Sequence, residues 1–239
     1  MSWVEFSIIA VAIIAASCLQ ASIGFGMGML AAPVIALIDP ALLPVSIILL
    51  AFIVTLIVTV REREHLDLRG AGWALAGRIP GSVLGAWLVV SLPASGLAWL
   101  VAIVVLVGVL LACLGWAPIP GRRNLVVAGL ASGVMGTATS IGGAPMALIW
   151  QRSEGAALRG TMSAFFLVSS VVSLAALFVA GALNLSAVRL VLWMLPAMLV
   201  GYLLSRVVGR HLDRRGLSIA ALLASTFGAL LLIGRQLIG

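Results

Sequence analysis

Apolar runs about as long as a membrane is thick, separated by short polar breaks, occupy almost the whole chain. Six of them are uninterrupted: 41–60, 71–91, 96–114, 160–180, 187–208 and 217–238. A transmembrane helix needs roughly 20 consecutive apolar residues, so each of the six predicts one crossing. Two further stretches do not fit that pattern. Residues 6–38 are too many for one span and are broken by Gly24, Gly26 and Gly28; residues 125–150 repeat the anomaly, broken by Gly142 and Gly143. Taken as halves of roughly 10 to 14 residues, each below spanning length, the first stretch predicts a re-entrant or short helical hairpin whose tip lies inside the membrane.

Composition agrees with a lipid-facing surface. Of the 239 residues 63% are hydrophobic and 9% charged, against about 25% charged in a soluble domain. The net charge of +7 does not point to nucleic acid. All fourteen basic residues are arginine, and all but Arg78 sit in or near the breaks between apolar runs, as topology signals do. With hairpins, eleven arginines fall on one side (Arg61, Arg63, Arg69, Arg122, Arg123, Arg152, Arg159, Arg206, Arg210, Arg214, Arg215) and two on the other (Arg189, Arg235). Reading each anomalous stretch as one crossing splits the same thirteen almost evenly. The excess of arginine in cytoplasmic loops therefore selects the hairpins and places both termini outside. Cys18 and Cys113 lie inside apolar runs and read as small buried hydrophobes.

The two halves repeat each other. Ser22-Ile23-Gly24 recurs as Ser140-Ile141-Gly142, Pro80 and Gly85 as Pro196 and Gly201, and Gly96-Leu97 and Gly108 as Gly216-Leu217 and Gly228, in the same order. Each half then holds a hairpin plus three transmembrane helices, and an odd number of crossings makes the halves antiparallel. The predicted fold is an all-α polytopic membrane protein of two inverted repeats, about 1–117 and 118–239, forming a single membrane domain. Secondary transporters are built this way, with broken helices near the midplane.

The segments Ala21-Ser22-Ile23-Gly24-Phe25-Gly26-Met27-Gly28 and Thr139-Ser140-Ile141-Gly142-Gly143-Ala144-Pro145 resemble the two glycine-rich motifs of the TauE/SafE family of sulfite and organosulfonate exporters. The resemblance implies a bacterial inner-membrane permease that moves sulfite, a sulfonate or a related small anion. Physically, a hairpin tip exposes the free backbone N–H groups that begin its second helix, and these attract anions. The candidate binding set is Ser22, Gly24, Phe25, Gly26, Met27 and Gly28 from the first tip and Thr139, Ser140, Gly142, Gly143 and Ala144 from the second. Glycines permit close backbone approach, and the Ser22 and Ser140 hydroxyls add donors. Thr137, Thr139 and Gln20 flank the tips, although Ser and Thr in helices more often bond their own carbonyls. The plainer alternative is that small residues serve tight helix packing.

Arg78 is the one charge inside a predicted span, about two turns from its arginine-rich end. It admits two readings: a counter-ion for an anionic substrate, or a side chain that snorkels to the headgroups. Its partner in the second half is Met194, so a site that uses it is asymmetric.

No Asp, Glu or His lies deep in a predicted span. An intramembrane enzyme would need a general base or an activated nucleophile there, and a cation pathway would need carboxylates. The reading is therefore a non-enzymatic secondary transporter, an exporter by resemblance, whose partners are a small anion and the bilayer, with no cofactor or metal. A homodimer is compatible with it. The competing function class is a membrane scaffold without transport activity. Loop Arg61-Glu62-Arg63-Glu64-His65 reads as a solvated, self-paired surface, and the tryptophans near span ends as interfacial anchors.

Overall fold

The computed structural model describes residues 2–66, 68, 70–113, 119, 121–150, 155–211 and 214–238. The loop charges Asp67, Arg69, Arg152, Glu154 and Asp213, together with Trp116, lie outside the described residues. Among the described residues ten α-helices follow in order: α1 Trp3–Ile23, α2 Met27–Ile38, α3 Val45–Arg61, α4 Ala71–Ser91, α5 Ala94–Cys113, α6 Arg122–Thr139, α7 Gly143–Ile149, α8 Gly155–Val179, α9 Leu185–His211 and α10 Arg214–Ile238. Among the described residues there is no strand. Five helices (α1, α4, α5, α8 and α9) are long and apolar enough to cross a membrane. Their outward faces carry large apolar side chains such as Val83, Trp87, Val171, Leu199 and Leu203, as a lipid-exposed surface requires.

The six uninterrupted runs each become one helix, with shifted ends in all but α4. α3 starts at Val45 and not at residue 41, because Asp39, Pro40 and Pro44 hold the chain in a 3-10 turn, Pro40–Leu42. Asp39 Oδ1 accepts from the Ala41 N–H at 2.9 Å and closes that turn.

The hairpins are less even than the sequence suggests. α1 has 21 residues and α2 only 12; α6 has 18 and α7 only 7. The expectation of short, matched arms is therefore corrected: at 1.5 Å per residue α1 is about 31 Å long, enough to traverse the hydrocarbon layer. Two local features set this length. A capping box at Ser2 launches α1 three residues before Phe6, with Glu5 N donating to Ser2 Oγ (3.2 Å) and Ser2 N to Glu5 Oε2 (2.7 Å). The helix stops only at Gly24 (φ +89°), and Gly26 (φ +109°) completes the reversal. The first tip lies beside Arg61, whose Nη2 donates to Ala21 O (3.4 Å). The second lies toward the opposite end of α3, where Ser140 Oγ donates to Pro44 O (3.0 Å). The start of α1, the end of α2 and the start of α9 line one cleft, so the first hairpin does return to the end it left.

Packing follows the small residues. α4 and α6 are pressed backbone to backbone along Gly77, Gly81 and Gly85 on one side and Gly129 and Gly133 on the other. A Cβ added at Gly133 would come within 2.6 Å of the Arg78 carbonyl oxygen. α1 packs on α9 in the same manner, Gly201 lying against Ile14 and Ser17. α3 pairs with α8, α2 with α10, α5 with α7, and α5 with α10. The 61–65 segment also departs from expectation. Glu62 is not a solvated, locally paired residue: it is 8% exposed and its carboxylate reaches Arg159 at the start of α8 as well as Arg61.

Candidate functional site

The two tips meet in the middle of the bundle. Gly28, in the first turn of α2, approaches the second tip so closely that a Cβ there would overlap the Ser140 carbonyl. The Phe25 ring covers Gly143, where a Cβ would lie 2.8 Å from Phe25 Cδ2. Between the tips and α3, α4, α6 and α8 is a small cavity of about 40 Å³. At about 10–15 Å³ for each water, this is room for roughly three waters, which suits a small ion.

Arg78 points into this cavity. It is 3% exposed, so the snorkelling alternative is excluded. Its Nη1 donates to Ser132 O (2.5 Å) and Ser132 Oγ (2.6 Å), and its Nη2 to Ser173 Oγ (3.2 Å). Its Nε–H has no hydrogen-bond partner in the protein. The guanidinium also faces the rings of Phe165 and Phe166, at 6.0 and 5.9 Å. The glycine seam makes this reach possible: a Cβ at Gly136 or Gly142 would stand 2.8 Å from its nitrogens. Every partner of Arg78 is neutral, and all the ion pairs among the described residues gather on Glu62. A buried charge of this kind is costly unless something of opposite sign comes to it.

The predicted residues divide into two groups. Phe25, Gly26, Met27, Gly28, Arg78, Ser140, Gly142 and Gly143 line the cavity. Ser22, Gly24, Thr139 and Ala144 do not. Ser22 Oγ donates to Cys18 O (2.7 Å) and Thr139 Oγ1 to Met135 O (2.6 Å), each spent on its own helix. Gly24 lies against Arg159 and Met162, and Ala144 faces Gly108 of α5. The picture of free N–H groups at two helix starts also changes. The Met27 N–H donates to Gln20 Oε1 (3.0 Å), and α7, with seven residues, is too short for much of a dipole. The positive element of the site is therefore a side chain.

Ser132, Gly136, Ser170 and Ser173 complete the surroundings of Arg78 and were not singled out by the sequence. The available signal is serine at helical spacing within otherwise apolar spans. Ser132 is the keystone, because its Oγ accepts from Arg78 and donates to Gly142 O (2.6 Å), joining α4 to the second tip. Ser132→Ala is expected to lower stability by about 1–3 kcal/mol through the stranded Gly142 carbonyl and the lost charge-assisted bond. Thermal denaturation in detergent would read this as a lowered midpoint.

An all-helical bundle with several lipid-exposed crossings, closed around a buried cation, is a multi-pass membrane protein of the transport class. The family model described as Sulfite exporter TauE/SafE matches residues 8–232, and the chain belongs to that family. No curated protein and no solved structure matches it.

Proposed function

We propose that this protein is a secondary transporter for a small sulfur oxyanion, sulfite being the first candidate, and that the anion binds at Arg78 between the two glycine-rich tips. One observation carries the reading: a fully enclosed guanidinium, hydrogen-bonded only to neutral groups, faces a cavity of ion size. An anion there would neutralise the charge and take the Nε–H that the protein leaves without a partner. Ser140, Gly142, Gly143 and the Phe25–Gly28 turn shape the rest of the wall. Transport by alternating access fits a site near the junction of two hairpins.

The inverted repeat is part of the proposal. Exchanging α1–α5 with α6–α10 turns the α1–α9 pair into α6–α4, α2–α10 into α7–α5, and α3–α9 into α8–α4, and each of these pairs exists. The halves 1–117 and 118–239 would then form one membrane domain with pseudo-twofold symmetry that Arg78 and Met194 break. By the arginine distribution, the end holding Arg61 and Arg159 faces the cytoplasm of a bacterial inner membrane and both termini lie outside.

Reconstituted protein should accumulate or release sulfite across liposomes faster than protein-free controls, and sulfite should raise its thermal midpoint while a cation such as ammonium does not. Absence of both effects would return the glycine motifs to helix packing alone.

A further inference from the structure

One face of α8 runs from the Arg78 cavity to the arginine-rich end of the bundle. Arg159, Ser163, Phe166, Ser170 and Ser173 follow one another at alternating intervals of four and three residues, the repeat of a single helix face. Ser173 holds Arg78, and Ser170 and Phe166 line the cavity. Ser163 lies between these groups and Arg159. It is completely buried, and its hydroxyl makes no hydrogen bond, whereas Ser170 Oγ bonds back to Phe166 O. Ser17, Thr59, Ser82 and Ser169 also keep buried hydroxyls without a partner, but among these Ser163 is the one on the helix face that joins Arg159 to the cavity, where its free hydroxyl can serve a polar species.

The start of this line is tied shut. Arg159 donates from Nε (3.3 Å) and Nη2 (3.2 Å) to one oxygen, Glu62 Oε1, in charge-assisted bonds that a free oxyanion could equally accept. Glu62 also takes Arg61 Nε (3.1 Å) and stands 4.0 Å from His65 Nδ1, while Arg61 holds the first tip through Ala21 O. The tip rests directly on α8: a Cβ at Gly24 would lie 2.9 Å from Met162 Cβ and 3.0 Å from Arg159 O. One carboxylate thus gathers the ends of α1, α3 and α8. Behind it, Trp150, Phe165 and Phe166 stack edge to face at 5.6 and 5.2 Å and fill the space toward Arg78.

We infer that this face of α8 is the passage between the arginine-rich end and the Arg78 cavity, with Arg159 the first cation the anion meets and Glu62 a tethered carboxylate that it displaces. The inference rests on anion binding at Arg78 as proposed above. An arriving oxyanion exchanges one charge-assisted pair on Arg159 for another, so the latch parts at lower cost with anion present than without it. Release of Glu62 also frees Arg61 and the first tip, which uncovers Ser163.

The test uses a protein freed of native thiols (Cys18→Ala, Cys113→Ala) and carrying Ser163→Cys, labelled in proteoliposomes with an impermeant thiol reagent from the arginine-rich face. Glu62→Gln is expected to speed labelling on the order of tenfold, as loss of a half-buried pair shifts the closed-to-open ratio. The charge-exchanged pair Glu62→Arg with Arg159→Glu should bring the rate back toward that of the parent, which separates a latch from a general loosening. Sulfite-dependent thermal stabilisation is measured on separate samples of the same proteins. Unchanged labelling in Glu62→Gln and in the exchanged pair, with the sulfite shift intact, would overturn the passage and leave the Arg78 site standing. No sulfite shift in the parent would remove the site, and the passage with it.

Discussion

Replacing Arg78 with methionine is expected to separate stability from binding: the empty protein should melt no lower than the parent, while the rise in midpoint produced by sulfite should vanish. Methionine is what the other half carries at Met194, fully buried in the core. Exchanging a buried ionic group for an apolar one of similar volume is often neutral or stabilising, by about 1–4 kcal/mol. The neighbours tolerate its loss, since Ser132 Oγ keeps Gly142 O (2.6 Å) and Ser173 Oγ keeps Thr137 Oγ1 (2.7 Å). Binding behaves oppositely. Removing one member of an enclosed charge pair costs roughly 2–5 kcal/mol, so the affinity for sulfite should fall at least about thirtyfold. A lower midpoint with the sulfite shift preserved would show that Arg78 is structural and that the anion binds elsewhere. Transport rates in liposomes at matched protein levels give the same comparison under turnover.

Gly28→Ala is expected to be strongly damaging, as is Gly129→Ala, whose new carbon would overlap the Ala74 carbonyl just as closely. At Gly28 the added carbon would overlap the Ser140 carbonyl, which is backbone and cannot rotate away. Forced shifts of this kind cost about 1–3 kcal/mol and sometimes more, and here they would part the two tips. Gly234→Ala supplies the contrast. It lies in α10 with nothing within 4 Å of the new carbon, so the substitution should be neutral or should stabilise by about 1 kcal/mol through helix propensity. Detergent-solubilised yield and thermal midpoint would distinguish the two variants, and a well-folded Gly28→Ala protein would contradict the contact between tips.

Helix positions were readable from the chain because polar breaks are few. α4 begins and ends at the predicted residues, Ala71 and Ser91, framed by Gly70 at φ +80° and the break before Pro93. The two tips were readable because glycines cluster there, at Gly24, Gly26 and Gly28 in one run and at Gly142 and Gly143 in the other. The lengths of the arms were misjudged, because the break falls late in the run, leaving residues 6–23 before it, and the cap of Ser2 and Glu5 extends α1 further. Facing was the larger gap. In a soluble helix the polar stripe shows which side is buried, whereas here lipid and core are both apolar and the contrast disappears. Hence Arg78 offered two directions, Ser22 and Thr139 looked like ligands although they bond their own helices, and Ser132 and Ser173 looked like ordinary span residues. Glu62 was misjudged because its partner, Arg159, is distant in sequence.

The seam between α4 and α6 has a mechanical meaning. Where Gly77, Gly81 and Gly85 meet Gly129 and Gly133, no layer of side chains separates the two backbones. Helices slide past one another by switching rotamers in such a layer, and a bare seam has none to switch. The two helices therefore act as one stiff lever. In the alternating access proposed above, Arg78 on one arm and Ser132 on the other would travel together, with the grip of the serine on the guanidinium kept.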